Sequence, residues 1–165
     1  MLIAIDPGTT ESAYAVLAEN YAPLAFEKMA NEELCEILGA YGPTDTIVIE
    51  RLASYGMPVG REVLETCEWV GHFARIALAN GARVEYLYRR EVKLHICDDS
   101  RAGDANIRRA LISRFARHDL RNGKGTAKRP DWFRGFRDDM WQAYALGVTW
   151  MDMEVRNEKS NPTLL

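Results

Sequence analysis

The apolar run Leu2-Ile3-Ala4-Ile5 passes straight into Asp6-Pro7-Gly8-Thr9-Thr10, and a second strand-like run, Ser12-Ala13-Tyr14-Ala15-Val16-Leu17, begins one residue later. A short apolar segment bounded by turn formers reads as a buried strand. The link to the second run is too short for a crossover, so the two strands pair antiparallel. The first strand thus hands a carboxylate to the end of a buried element, where an isolated charge must be paired, hydrogen-bonded or metal-bound. Asp, Pro and Gly are also ordinary turn residues. The other carboxylates of the chain therefore decide what Asp6 means.

The rest of the chain alternates between the two periodicities. Strands are expected at 2–6, 12–18 and 23–29, as a meander, followed by a short helix over 32–40 capped by Asn31 and stopped by Gly42-Pro43. A strand at 44–50 ends on Glu50, and a Gly- and Pro-containing loop spans 51–60. A helix from Arg61 to Asn80 carries the stripe Val63, Cys67, Val70, Ala74 and Ala77, and Trp69, Phe73 and Ile76 add more apolar surface than one face requires. A strand at 83–88, a short helix at 91–97 and a basic helix from Asp104 follow. The basic helix is expected to turn Ile107, Leu111 and Phe115 inward and Arg108, Arg109 and Arg114 outward. Residues 119–135 read as a long loop, and the last helix as 138–155. Five strands mixed with crossover helices imply an α/β fold, a mixed five-stranded sheet with helices on both faces. The chain reads as a single domain over 1–155 with a flexible polar tail at 156–165.

Composition narrows the functional classes. No apolar run approaches the ~20 residues of a membrane span, and the N-terminus lacks a signal-peptide pattern. Cys35, Cys67 and Cys97 form no CxxC pair or ligand cluster, which fits a reduced, cytoplasmic setting. The net charge of -3 conceals an asymmetry: residues 101–137 hold eleven Lys and Arg against Asp104, Asp119 and Asp131, a local +8. A basic segment on an acidic body points to a polyanionic partner.

Asp6 and Glu50 both close apolar strands, and ligands of open α/β sheets bind beyond the carboxyl ends of the strands. Neighbouring strands are about 5 Å apart, so the two carboxylates can share one cation. Asp138-Asp139 opens the last helix, where the helix dipole favours negative charge. Converging carboxylates repel unless a cation neutralises them. Mg²⁺ takes oxygen ligands and retains waters for a phosphate, and two metals about 4 Å apart suit in-line phosphodiester displacement. These placements beside a +8 segment point to a metal-dependent nuclease site.

At this point the residues resemble a known family. Asp6-Pro7-Gly8-Thr9-Thr10, Ile47-Val48-Ile49-Glu50, and Asp139 on a terminal helix with Ala143-Tyr144-Ala145-Leu146 resemble the RuvC Holliday-junction resolvases, more narrowly those of phages and prophages, over residues 2–152. The resemblance implies an RNase H-like fold, a homodimer, and cleavage of branched DNA such as four-way junctions with Mg²⁺ or Mn²⁺, two ions. It makes Asp6, Glu50 and Asp139 catalytic metal ligands. The family's fourth carboxylate falls on Gln142, which carries no charge. Asp138 is the nearest substitute and Asp104 a more distant one.

Glu91-Val92-Lys93 and Arg101–Arg109 look like the family's basic substrate-binding region. Lys93, Arg101, Arg108, Arg109, Lys124, Lys128 and Arg129 are expected on phosphates, with salt-dependent binding. Lys93 is also a candidate for transition-state stabilisation near the metals. Tyr55 is a candidate for stacking on an unpaired base. Trp132, Phe133 and Phe136 read either as a stacking platform or as packing against the last helix. The apolar excess on the 61–80 helix suggests a two-fold dimer.

Three other readings compete. Asp-x-Gly-Thr-Thr is also a phosphate turn of actin-like ATPases and sugar kinases, but no second Asp-x-Gly-Thr is present, so no nucleotide cofactor is expected. The Gln at 142 favours a non-cleaving branched-DNA-binding protein. An RNase H acting on RNA–DNA hybrids shares the fold, and fold does not fix function.

Overall fold

The computed structural model describes residues 1–160 apart from Tyr55 and Met57. Five strands, β1 (Leu2–Asp6), β2 (Glu11–Leu17), β3 (Pro23–Ala30), β4 (Thr46–Arg51) and β5 (Arg83–Tyr88), form one sheet in the order β3-β2-β1-β4-β5. The first three strands pair antiparallel, whereas β1–β4 and β4–β5 are parallel. The parallel pairs need crossovers. These are supplied by α1 (Asn31–Leu38) and α2 (Arg61–Ala79); α3 (Arg89–Cys97), α4 (Asp104–Phe115) and α5 (Met140–Ser160) follow β5. The mixed five-stranded α/β sheet expected from the sequence is the one observed.

Strand alternation divides the interior into two cores. Ile3, Ile5, Tyr14, Val16, Ile47 and Ile49 pack under α1 and α2, while Leu2, Ala4, Ala13, Ala15, Leu17, Val48 and Leu87 pack under α3, α4 and α5. Helix α5 lies close on β1 and β2. A side chain at Gly147 would come within 2.7 Å of Leu17 and 3.2 Å of Ala4, so glycine is needed there for the helix to approach this closely. That approach brings the start of α5 to the carboxyl ends of the strands.

Several local expectations are corrected. Helix α2 is rotated about its axis relative to the expected stripe. Thr66, Phe73, Ala74 and Ala77 are buried, Trp69, Val70 and Ile76 pack against the same core, and Cys67 is exposed. The large rings displace the smaller Val63–Cys67 edge, so Phe73 is core rather than surplus surface. Asn31 does not cap α1. It is fully buried and turned back toward β2. Helix α5 starts at Met140 and continues through Ser160, beyond the expected end at 155.

The loop between α4 and α5 is long but highly organised. The Asp131 carboxylate accepts the backbone N–H groups of Arg117, His118, Asp119 and Trp132, and Asp119 accepts those of Asn122, Lys124 and Gly125. Burial alone would raise the Asp131 carboxyl, but this ring of donors pulls it well below the usual range. Phe133 and Phe136 are fully buried against Trp141 and Tyr144, and Trp132 stacks on Phe115 with its indole N–H donated to Tyr144 Oη. These aromatics pack the interior and form no platform for bases.

Candidate functional site

The Asp6 turn is built rigidly. Gly8 N–H donates to Ser12 Oγ at 3.1 Å, Ser12 Oγ donates to Asn31 Oδ1 at 2.6 Å, and Asn31 Nδ2 donates to the Gly8 carbonyl at 3.1 Å. Ser12 and Asn31 are both buried. A Cβ at Gly8 would lie 2.3 Å from the Glu11 carbonyl oxygen, so only glycine fits this turn. Ser12 and Asn31 went unrecognised in the sequence as parts of the site, because their partners lie 4 to 23 residues away and carry no local signature.

The sheet register places Asp6 and Glu50 side by side. Ile5 pairs with Ile49 across the parallel β1–β4 ladder, and each carboxylate follows one residue later. Both continue the alternation of Ala4 and Val48, so both project toward the face covered by α3, α4 and α5. On the far side of β1, Asp6 is opposite Ala13, and Ala13 is opposite Lys28. One row across the sheet therefore reads Lys28, Ala13, Asp6, Glu50.

Two cations divide the carboxylates between them. Lys28 Nζ donates to Asp139 Oδ2 at 2.7 Å, just before the first turn of α5. Arg89, the first residue of α3, places Nη1 3.2 Å from Glu50 Oε2 and 4.0 Å from Asp6 Oδ2, and donates from Nη2 to Asp104 Oδ1 at 2.7 Å. Asp104 opens α4. Among the described residues, no group of three or more Asp, Glu, His or Cys side chains is drawn closely enough together to hold a metal ion. Lys28 pairs with Asp139 and Arg89 bridges Asp6, Glu50 and Asp104, while Asp139 and Asp104 both stand close enough to Asp6 to help raise its carboxyl. Asp138 is exposed, with a left-handed φ of 43° at the entry to α5, and has no contact with Asp6 or Glu50 among the described interactions.

The electrostatics show a site short of positive charge. Burial, followed by repulsion from Glu50, raises the Asp6 carboxyl from 3.8 to about 8, even though Arg89 opposes the shift. Burial also raises Glu50, against the pull of Arg89 and the nearby Lys93. The Gln142 side chain is buried one helical turn beyond Asp139, and its Oε1 accepts no hydrogen bond from the described residues. Carboxylate and amide oxygens are the donors that hard divalent cations take. The composition of the site therefore fits such an ion, and a buried oxygen lacking a donor is what one would satisfy.

The expected DNA contacts are spread over four places among the described residues. Arg89, Arg90, Lys93, Ser100 and Arg101 line one shallow groove beside Glu50. Arg108 lies over the Trp141 ring, 5.2 Å from its centroid, near the start of α5. Arg109 lines a separate hollow with Ile96, Cys97 and Asn106. Lys124, Lys128 and Arg129 belong to the α4–α5 loop, at a turn closed by a bridge between Gly125 and Pro130. Arg114 faces outward as expected, at 40% exposure, and binds Asp152 through both terminal nitrogens. Tyr55 lies outside the described residues. Arg89 was missed as a site residue, although the rule that singled out Asp6 and Glu50 also points to the residue just after β5.

The chain is similar in structure to Thermus thermophilus RuvC, with a TM-score of 0.64 at 15% identity over 94% of this chain and 96% of that one. It is also similar to T. thermophilus RuvC in complex with a Holliday junction substrate, with a TM-score of 0.59 at 17% identity, covering 93% of this chain and 94% of the other. At these identities the likeness is one of fold. No family model matches the chain, and no curated protein matches it.

Proposed function

We propose, with the RuvC fold as the premise, that this protein is a metal-dependent, structure-selective endonuclease that resolves four-way junctions or other branched DNA by phosphodiester hydrolysis. The observation that carries this reading is the half-buried Asp6–Glu50 pair. Its two carboxylates sit on adjacent parallel strand ends, face the same helices, and hold more negative charge than Arg89 offsets. Asp6, Glu50 and Asp139 would hold Mg²⁺ or Mn²⁺, with Asp138 or the unpartnered Gln142 amide oxygen as a further donor. The bound metal would supply activation of the attacking water and stabilisation of the leaving oxygen.

The protein's own residues supply the rest. The Ser12–Asn31 lock fixes the Asp6 turn, and the start of α5 fixes Asp139. Lys93, with Arg90 and Arg101, presents positive charge to a phosphate beside Glu50. Arg108, Arg109, Lys124, Lys128 and Arg129 would add further phosphate contacts, with salt-dependent binding. A second copy would pair through the outer surface of α2, where Leu64 and Leu78 are exposed, next to the edge strand β5 with Arg51 stacked over Tyr86. Sedimentation with and without junction DNA tests that dimer, and monomer at high concentration in both removes it.

The decisive experiment compares a labelled four-way junction with linear duplex and an RNA–DNA hybrid, in Mg²⁺, Mn²⁺ and EDTA, for wild type and Asp6→Asn. Paired symmetric nicks on the junction that vanish in EDTA and in the variant are expected. Preferential cutting of the hybrid would favour the RNase H reading. A non-cleaving junction binder is the second reading, favoured by Gln142. It predicts tight junction binding with no cut in either metal.

A further inference from the structure

Arg89 occupies the position between carboxylates that the nuclease reading requires a divalent cation to take. Its side chain is only 27% exposed, wedged between the ends of β4 and β5 and the start of α4. A guanidinium stays charged under all ordinary conditions and offers a planar fork able to hold two carboxylates at once. Its grip is uneven: 2.7 Å on the exposed Asp104, 3.2 Å on the half-buried Glu50, and 4.0 Å from Asp6. The firm bond is on the outer side and the weak ones are on the inner side.

We propose that Arg89 is the resident counter-ion of the Asp6–Glu50 pair, and that a divalent cation loads the site by displacing the inner edge of the guanidinium while Asp104 retains the outer edge. This inference rests on the metal-site reading above. A single charge spread over a guanidinium neutralises two carboxylates incompletely, whereas a compact divalent ion binds both directly. Asp104 keeps the displaced arginine paired, so loading leaves no orphaned charge. Arg89 also lines the groove it shares with Arg90, Lys93, Ser100 and Arg101. A guanidinium released from Glu50 is already beside the place where a phosphate would be held. Cation loading and phosphate binding then favour one another, and such coupling is reciprocal.

The test is Mn²⁺ binding by calorimetry on the full chain without DNA, for wild type, Arg89→Gln and Arg90→Gln. Arg90 removes the same charge from the same groove without touching a carboxylate among the described ion pairs. Arg89→Gln is expected to bind Mn²⁺ about tenfold more tightly than wild type, the scale of one close charge pair, and Arg90→Gln within about threefold. Equal affinity in all three overturns the inference and leaves the metal site standing. Equal tightening in both variants also overturns it, because the effect is then general charge. No binding by any of them overturns both the inference and the metal-site reading.

Should Arg89→Gln fail to fold, the wild type carries the test by NMR of arginine Nη–H groups, through which Arg89 holds its carboxylates, during a Mg²⁺ titration. The signal missing from Arg89→Lys is expected to lose its exchange protection as Mg²⁺ binds. A signal unchanged while carboxylate-flanking backbone resonances shift overturns the inference.

Discussion

Two carboxylate clusters lie under the same face of the sheet and are treated in opposite ways. Asp152, on α5, is held by Arg114 through two bonds of 2.6 and 2.8 Å, by His95 at 2.7 Å, and by the Tyr21 hydroxyl at 2.8 Å. Burial works against its charge, but these partners overcome it and hold the carboxyl well below the usual range. Asp6 and Glu50 are exposed to a similar degree, at 16% and 14%, but are more deeply desolvated, and among the described ion pairs they share only Arg89; both are raised, burial first. Deeper desolvation and a poorer supply of donors together distinguish them. Asp152 joins α3, α4, α5 and the β2–β3 turn into one body, which is a structural role. The Asp6–Glu50 pair is left under-compensated, a deficit that the proposed metal would relieve.

The contrast is sharpest in activity. Asp6→Asn should lower junction cleavage at least about a thousandfold, equivalent to about 4 kcal/mol of barrier, as measured by single-turnover nicking. Stability should move the other way at the two clusters. Asp152→Ala strands Arg114 and His95 and should cost about 3 kcal/mol in urea unfolding, the low end for breaking a buried ion pair because Arg114 keeps some solvent. Asp6→Asn, measured in EDTA at pH 8, should instead gain stability of the order of 2 kcal/mol by removing an uncompensated buried charge. Destabilisation by both substitutions would break the comparison.

The pH dependence follows with opposite signs. The Asp6 carboxyl stands at about 8 in the folded protein against 3.8 unfolded, so its contribution is fully present below pH 3.8 and is lost as pH rises to 8. Asp152 is depressed on folding, so its contribution is present above about pH 4 and is lost as pH falls further. Urea midpoints in EDTA should therefore decline from pH 5 to pH 8 in wild type, and the decline should shrink in Asp6→Asn but persist in Asp152→Asn. Ser12→Ala should cost about 1–2 kcal/mol by leaving Gly8 N–H and Asn31 Oδ1 without their shared hydroxyl. The smallest effect belongs to the far basic loop. Arg129→Ala should reduce the salt slope of junction binding by about one unit with a modest loss of affinity.

What could be read from the sequence was whatever had a local period. β5 and the start of α4 fell where the alternation and the Asp at 104 put them, and Asp6 and Glu50 followed from apolar runs that end on acids. What could not be read was pairing across the fold. Lys28 meets Asp139 across 111 positions, Arg89 meets Glu50 across 39, and Tyr21 meets Asp152 across 131. No window along the chain contains both members of any such pair. The rotation of α2 was hidden for another reason: Cys67 and Phe73 count alike in an apolar pattern, but the sheet buries the ring and leaves the thiol outside. The long loop read as irregular because its order comes from two aspartates bonding to backbone, which leaves no pattern of side chains.

Asp139 and Asp152 stand 13 positions apart, at the entrance to one helix and along its length, so about 20 Å of continuous backbone separates them. One end is anchored by His95, Arg114 and Tyr21; the other delivers a carboxylate to the strand ends. The helix is thus a ruler whose zero is set at Asp152. Removing a single residue between them, such as Val148, would shorten the span by about 1.5 Å and swing Asp139 through about 100° around the axis. The distance from anchor to carboxylate is as much a part of the site as the carboxylate itself.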